Sequence, residues 1–243
     1  MSYGQFCPLA KAAEVFATKW TPLVLRELMN GHSRFNDLKR GVPLMSRTLL
    51  ALRLKELEDA GLVESIKKES GAGSEYLLTR AGESFRPIVE AMGQWGHAYG
   101  WARVTEQDYD PALLMWAMRR GIKVEALPAQ RVTIRFEFSG LPKGKTARRL
   151  WWLVLDHGQI DVCLKRPGFP EDVVVRADLQ SFIRVWMRKD QHAAALRQGS
   201  IAYEGPPALV KQLPEWLRIP PSANAPFTLL PPGPVTPHAG GMR

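Results

Sequence analysis

The segment from Cys7 to Trp101 constrains the fold more than any other part of this chain, because its helix and turn signals follow one another in an ordered series. Apolar residues at helical spacing predict amphipathic helices over Pro8 to Phe16 and Trp20 to Met29. Gly31 is expected to end the second helix, since glycine adopts the left-handed conformation without a Cβ clash. The segment therefore begins with two short amphipathic helices.

Two more helices are predicted on either side of a tight turn. Ser33 is the expected N-cap of a short helix over Arg34 to Arg40, and Ser46 is that of a longer helix over Arg47 to Ala60. The turn between them is Gly-Val-Pro at 41–43. One side of the longer helix carries a core stripe, namely Leu50, Leu54 and Leu57. Its other side is a candidate recognition face.

A hairpin follows the longer helix. Gly61 stops that helix, and strand-like runs over Leu62 to Lys67 and Glu75 to Thr79 are joined by a tip rich in Gly and Ser. Lys67 and Lys68 stand at the shoulder of the hairpin, where positive charge would meet phosphate. Helix, short helix, turn, capped helix and hairpin in this order predict a winged helix-turn-helix, mainly α with a β-hairpin wing.

The charge of this segment fits an anionic partner. The chain has a net charge of +9, and between His32 and Lys55 six Lys or Arg stand against a single acid, Asp37. A charge run alone is more often a solvated helix face, so the order of the elements carries the inference. With a recognition helix at 46–60 in the major groove and a wing at 66–75 on phosphate, double-stranded DNA is the predicted partner. The candidate contact residues are Arg34, Ser46, Arg47, Thr48, Ala51, Lys55, Lys67 and Lys68.

The same segment resembles the HxlR-type bacterial transcriptional regulators over about the first 100 residues. The matching sequences are KWT at 19–21, LREL at 25–28, RFNDL at 34–38, RLKELEDAGLV at 53–63 and YLLTRAG at 76–82. The resemblance implies a homodimer held by the first and last helices of the domain, with paired recognition helices reading a two-fold operator. Arg47 stands where many relatives have Pro, and Leu52 stands where they usually have a polar residue.

A long helical pattern from Thr79 to about Val104 fits the implied dimer. Pro87 interrupts the pattern. Its apolar side chains exceed what a lone terminal helix can bury on so small a domain, so a partner chain is the simplest cover. The predicted interface residues are Leu9, Val15, Ile88, Met92, Trp95 and Tyr99.

Cys7 has two interpretations. Some HxlR-type relatives use a cysteine at this position as an oxidation sensor, and a thiol at the start of a helix can be reactive. A free cysteine is also among the most commonly buried residues. No second cysteine stands nearby to resolve an oxidised thiol, since the other cysteine is Cys163.

Other function classes find little support. The five histidines show no ligand spacing, and no phosphate loop, nucleophile elbow or Cys-His pair is suggested, so no enzyme, metal or cofactor is expected. Two cysteines in 243 residues make no disulfide framework. No signal pattern and no apolar run of ~18 residues appears, so we expect a cytoplasmic protein without a membrane partner.

The pattern changes after a polar linker at 105–111. The predicted strands are Arg131 to Ser139, Leu150 to Asp156, Gln159 to Lys165, Asp172 to Arg176 and Ser200 to Glu204. The predicted helices are Ala112 to Arg120, Leu179 to Arg188 with Asp178 as its cap, and Ala208 to Leu217. Together they predict an α+β domain with an antiparallel meander and helices on one face.

This second domain resembles sterol carrier protein type two from about Leu113 to Arg218. The resemblance rests on the helix led by Asp178, on AAAL at 193–196 with Gly199, and on IAYEG at 201–205. It implies an apolar tunnel between sheet and helices that accepts a lipid-like molecule, whereas plain core packing is the competing interpretation. The candidate lining residues are Phe136, Phe138, Trp151, Trp152, Phe182 and Trp186.

The sequence thus predicts a DNA-binding and dimerisation domain at 1–104, a linker at 105–111, a sterol-carrier-like domain at 112–218 and a Pro-rich disordered tail at 219–243. The favoured function is a dimeric transcriptional regulator, whose second domain either binds a hydrophobic small molecule that controls it or only enlarges the dimer. The alternative is a soluble carrier of a lipid or hydrophobic metabolite that uses the winged helix only for dimerisation or protein docking.

Overall fold

The computed structural model describes residues 2–67, 73–122, 127–142 and 148–220, together with 222, 223, 226, 227 and 229. Contacts along the chain divide it into two units, one formed by residues 1–96 with 228–243 and the other by residues 97–227. Among the described residues, no helix is long and apolar enough to cross a bilayer.

The first unit is a helix-turn-helix followed by a hairpin, as the sequence predicts. Its first four helices are α1 Pro8–Phe16, α2 Thr21–Met29, α3 Phe35–Gly41 and α4 Arg47–Asp59. Strand β1 Val63–Lys67 then pairs antiparallel with β2 Ser74–Leu78. Two further helices close the unit, α5 Arg80–Glu83 and α6 Arg86–Trp95. The tip of the predicted wing, including Lys68, lies outside the described residues.

Local signals set most of these helix ends. The Ser46 side chain accepts the backbone N–H of Leu49 at 3.2 Å, which caps α4 as predicted. Gly31 and Gly61 have φ of +84° and +70°, so both supply the left-handed residue after a helix. The predicted cap at Ser33 is wrong, because α3 begins one residue later. The carbonyl of Ser33 instead accepts the N–H of Tyr76 at 2.8 Å, which recruits this stretch to the hairpin.

The long helical pattern after Thr79 is split into several pieces. Helices α5 and α6 are separate, and α6 is followed by a π-helical turn over Gly96–Gly100 and a 3-10 turn over Trp101–Arg103. Pro87 lies in the first turn of α6, where its missing N–H leaves no bond unmade. The proline therefore starts a helix rather than interrupting one.

A leucine stripe joins α4 to the core of the first unit. Leu50, Leu54 and Leu57 are all buried, as predicted, and they belong to the same apolar cluster as Val24 of α2 and Val89 of α6. Because these leucines occupy one side of α4, the rotation of the helix about its own axis is fixed. Its opposite side faces solvent.

A buried carboxylate fixes α2 against α3. Glu27 is fully buried, and its Oε1 accepts from Arg26 Nε at 2.8 Å, while its Oε2 lies 3.5 Å from His32 Nδ1. The same arginine donates to the carbonyl of Gly41 at 3.1 Å. A Cβ at position 41 would overlap the Glu27 carboxylate, so only glycine lets the end of α3 approach so closely.

The second unit is a five-stranded sheet with helices packed on its apolar face. Its strands are β3 Val132–Ser139, β4 Leu150–Asp156, β5 Gln159–Cys163, β6 Val173–Asp178 and β7 Ile201–Glu204. Its helices are α7 Pro111–Gly121, α8 Leu179–Trp186, α9 His192–Arg197 and α10 Pro207–Trp216. The Asp178 side chain accepts the N–H of Ser181 at 2.9 Å, so it caps α8 as predicted.

The strand order corrects one prediction for this sheet. The order is β5-β4-β3-β6-β7, and β6 pairs parallel with β3 while the other pairs are antiparallel. The sheet is therefore mainly antiparallel, but the predicted simple meander is wrong. In β3 the apolar residues Ile134, Phe136 and Phe138 are all fully buried, and a strand of this kind needs neighbours on both edges. A meander would have left β3 at an edge.

The predicted linker at 105–111 has its own local structure. Residues Glu106–Asp108 form a 3-10 turn, and the Asp108 carboxylate accepts both the N–H and the hydroxyl of Thr105. Tyr109 is buried in the core of the second unit, and Asp110 caps α7. The linker therefore belongs to the second unit.

We expect Gly82→Ala to destabilise the first unit by about 1–3 kcal/mol, because its Cβ would overlap the carbonyl oxygen of Leu62. Gly96→Ala is the matched control, since a Cβ there meets no atom within 4 Å and the backbone is helical. Urea unfolding of the full chain, with hydrogen exchange assigning the change to this unit, measures both. Equal stability of the two variants would contradict the packing described.

We expect Glu27→Gln to cost about 3 kcal/mol of folding stability, since it removes one partner of a buried ion pair. Glu90→Gln on α6 is the control, because Glu90 forms no ion pair with another described residue. The same unfolding and exchange measurements apply. A loss no larger in Glu27→Gln than in the control would show that the carboxylate charge does not hold the two helices.

Candidate nucleic-acid interface

Helix α4 and its N-cap carry five of the eight predicted contact residues. Ser46, Arg47, Thr48, Ala51 and Lys55 are all exposed, and they lie on or next to the solvent side of this one helix. The helix is 13 residues long, so it is long enough to lie in a major groove. The structure therefore places these five candidates together on one exposed helix.

Arg47 is the best positioned cation on this face. One of its terminal nitrogens donates to Asn36 Oδ1 at 3.1 Å, and its guanidinium lies 5.9 Å from the centre of the Phe35 ring. Both partners belong to α3, so the side chain reaches from one helix to the other. Sequence reasoning missed Asn36, whose exposed amide lies beside Arg47 and is a suitable donor and acceptor.

Two of the other basic candidates, Lys55 and Arg34, are engaged by acids. Lys55 Nζ lies 2.8 Å from Asp59 and 3.4 Å from Glu58, and these carboxylates, Asp59 first, raise the pKa of Lys55. Arg34 Nε lies 3.6 Å from Glu75 Oε1, across the bridge that joins these two residues. A phosphate would have to compete with these carboxylates. Lys67 is exposed at the end of β1.

Leu52 lies away from the Arg47 side of α4. It is 51% exposed and lines a groove of about 840 Å³ between α4, α1 and the N-terminal segment. Arg53, which also lines the groove, donates to the carbonyl of Lys19 at 3.1 Å and pairs with Glu56.

The residues predicted for a dimer interface are mostly exposed apolar side chains. Leu9 is 77% exposed, and Ile88, Met92, Trp95 and Tyr99 are also exposed, whereas Val15 packs against the core of its own unit. On α6, Ile88, Met92 and Trp95 follow one another at helical spacing, so they share a side. Sequence reasoning missed Phe6, which is 99% exposed next to α1.

Cys7 is the residue before α1 and is half-buried, with a free thiol. Its role as an oxidation sensor stays a prediction.

The aromatic residues predicted to line a ligand pocket fall on two faces of the sheet. Phe136, Phe138 and Phe182 contact one another with ring centres about 6 Å apart on the core face. Trp151 pairs with Phe136 in the strand register and shares that face, and Trp186 packs at its border. Trp152 alternates to the opposite face, where its indole N–H donates to Glu171 at 3.0 Å. The structure thus brings five of the six together.

Comparison with known proteins agrees with this architecture. Residues 15–103 match the family described as HxlR-like helix-turn-helix, and residues 123–218 match the SCP-2 sterol transfer family. The chain is 37% identical over 105 residues to YkvN of Bacillus subtilis (strain 168), described as an uncharacterized HTH-type transcriptional regulator. That match covers 43% of this chain and 89% of YkvN.

Two further proteins resemble the same segment. An uncharacterized HTH-type transcriptional regulator of Methanothermobacter thermautotrophicus is 36% identical over 95 residues, which is 39% of this chain and 72% of that protein. The reduced form of the transcriptional regulator YodB from B. subtilis is 30% identical, with 39% of this chain and 95% of YodB covered and a TM-score of 0.35.

The first unit is thus a winged helix-turn-helix. The chain belongs to the HxlR-like helix-turn-helix family, and it carries a second domain of the SCP-2 type.

Proposed function

We propose that this protein is a dimeric transcriptional regulator that inserts α4 into the major groove of DNA. The observation that carries the proposal is the division of α4 into a buried leucine side and an exposed side with Thr48, Ala51 and Lys55, while the exposed Arg47 stands in its first turn. A helix of this kind, followed by a hairpin that ends in Lys67, matches the docking geometry of winged helices.

Arg47 would make the principal contact to a base or a phosphate. Its hydrogen bond to Asn36 and its position beside Phe35 hold the guanidinium before DNA arrives, so less side-chain entropy is lost on binding. The acid-paired Lys55 and Arg34 would contribute less, since each must first leave a carboxylate.

We expect Arg47→Ala to weaken operator binding by about tenfold or more, because it removes a preorganised charge-assisted contact. Arg80→Ala is the control, since Arg80 is an exposed arginine on α5 outside the α4 face. The operator is first selected from random duplexes with the wild-type chain, and affinities are then measured by fluorescence anisotropy at two salt concentrations. Equal affinity of the Arg47 variant and the wild type at both salt concentrations would defeat the assignment of α4.

A second copy of the chain would cover the exposed apolar side of α6. Ile88, Met92 and Trp95 there are each at least 45% exposed, and Leu9 and Phe6 add apolar surface from the N-terminal segment. Exposed apolar groups at this density mark protein interaction sites. Pairing through this side would present two α4 helices to a two-fold operator.

We expect Met92→Glu to shift the protein from dimer to monomer, because a buried, unpaired carboxylate is costly in an interface. Gln94→Glu places the same charge on the far side of α6 and should remain a dimer. Light scattering after size-exclusion chromatography measures both masses. A monomeric wild type would contradict the dimer. A dimeric Met92→Glu variant would place the dimer contact away from this side of α6.

Control by an apolar ligand in the second domain stays a prediction from the SCP-2 resemblance. The mutual ring contacts of Phe136, Phe138 and Phe182 already fill part of the core face, so a ligand among them would have to separate these rings.

A further inference from the structure

Two helices of the second unit end in arginines that adopt the left-handed conformation. Arg188, just after α8, has φ of +60°, and Arg218, just after α10, has φ of +53°. Glycine is the residue that usually takes this position, because other side chains clash there. Strained backbone at a charged residue often marks a functional site.

We propose that Arg188, Lys189 and Arg218 form a binding site for the phosphate or carboxylate group of a small molecule. The site lies within the second unit and does not depend on an apolar cavity or on DNA binding by the first unit.

Arg188 and Lys189 lie close to His97, and Arg218 lies close to Arg188. Arg218 is near enough to Arg188 for its like charge, together with the larger effect of burial, to lower the pKa of Arg188. Lys189 Nζ donates to the carbonyl of His97 at 2.7 Å and lies 5.4 Å from the Trp101 ring. Burial, then the charges of Lys189 and Arg188, lower the pKa of His97.

Acids do not balance this charge in the described part of the chain. No ion pair joins Arg188, Lys189 or Arg218 to a carboxylate among residues 97–122, 127–142 and 148–220. The neighbouring Asp190 is held by Arg184 through two hydrogen bonds of 2.7 and 2.8 Å. A cluster of partly desolvated cations without a counter-charge is costly, and a bound anion would remove that cost.

Two buried nitrogen atoms at this place lack hydrogen-bond partners among the described residues, namely Arg188 Nε and His97 Nδ1. Buried polar atoms in proteins are nearly always paired, so the unmade hydrogen bond at each of these nitrogens calls for an explanation. An anion would accept from the arginine Nε through a charge-assisted hydrogen bond.

Aromatic rings form the wall of the site. The His97 ring stacks on Phe227 with centres 4.1 Å apart and planes 2° apart, and the Arg188 guanidinium lies 5.7 Å from the Phe227 ring. These contacts hold the His97 ring and the Arg188 guanidinium beside Phe227.

A purely structural explanation is that these arginines neutralise the negative ends of α8 and α10. Direct capping of those helix ends would give hydrogen bonds from the guanidiniums to helix carbonyls. Within the described residues, Arg188 and Arg218 make no such bond. Direct capping therefore does not explain the two arginines, and the remaining dipole effect is separated from ligand binding by the thermal unfolding of the double variant.

The test uses the full chain and follows the ring nitrogens of His97 by NMR during titration with sodium phosphate, and separately with acetate and hexanoate, at constant ionic strength. We expect a saturable shift with phosphate or with a carboxylate. Arg188→Gln combined with Arg218→Gln should weaken binding by about tenfold or more. Arg197→Gln, an exposed arginine on α9, is the matched control and should bind as the wild type does. Arg188→Lys, which keeps the charge, should retain part of the affinity.

Thermal unfolding separates binding from a structural role. Without added anion, the double variant should melt at the same or a higher temperature than the wild type, because it loses uncompensated cations. Added phosphate should raise its melting temperature by less than that of the wild type. A double variant that melts lower and responds to phosphate as the wild type does would overturn the proposal. So would linear shifts of His97 that are equal in all variants. Tighter binding of hexanoate than acetate would identify an anion carried on an apolar body, whereas phosphate binding alone would identify a free or ester phosphate.

Discussion

The geometry of the DNA-binding unit depends on one buried carboxylate. Glu27 stands in α2, yet it accepts from Arg26, lies beside His32 and occupies the space that a side chain at position 41 would need. Three segments, the end of α2, the following loop and the end of α3, therefore meet at a single charged group. Because removing a buried charge partner costs more than rearranging a surface pair, the angle between α2 and α3 has little freedom.

The fixed angle determines what α4 presents. The turn after Gly41 starts α4 at Ser46, and the leucines at positions 50, 54 and 57 then bring one side of the helix into the core. The outer side carries Thr48, Ala51 and Lys55, and Arg47 stands in the first turn of the helix beside α3. A second contact also holds α2 in place, since Arg86 at the start of α6 donates to the carbonyl of Met29 at the end of α2. Side-chain placement on the exposed side of α4 is thus a consequence of core packing.

The features that the sequence predicts well are those that act over a few residues. The cap at Ser46 and the left-handed glycines at 31 and 61 depend only on their neighbours along the chain. The leucine stripe also follows from spacing alone. Failures occur where a distant segment intervenes: the hairpin takes the carbonyl of Ser33, and β6 inserts beside β3 because that apolar strand needs two neighbours. Hydrogen bonding between remote segments leaves no mark in local periodicity.

The sequence also does not show which basic residues of the candidate sites are paired with acids. A net charge of +9 suggests an extended basic surface, but the basic residues near α4 are largely paired. Arg40 meets Asp37, Arg53 meets Glu56 and Lys55 meets Asp59. Sequence position alone could not show which cations remain available, since each partner is set by the fold. In the second unit the situation is reversed, because Arg188 and Arg218 converge from the ends of different helices without a paired acid among the described residues. We therefore expect recognition in this protein to depend on where cations are left unpaired, and total charge is a poor guide to those places.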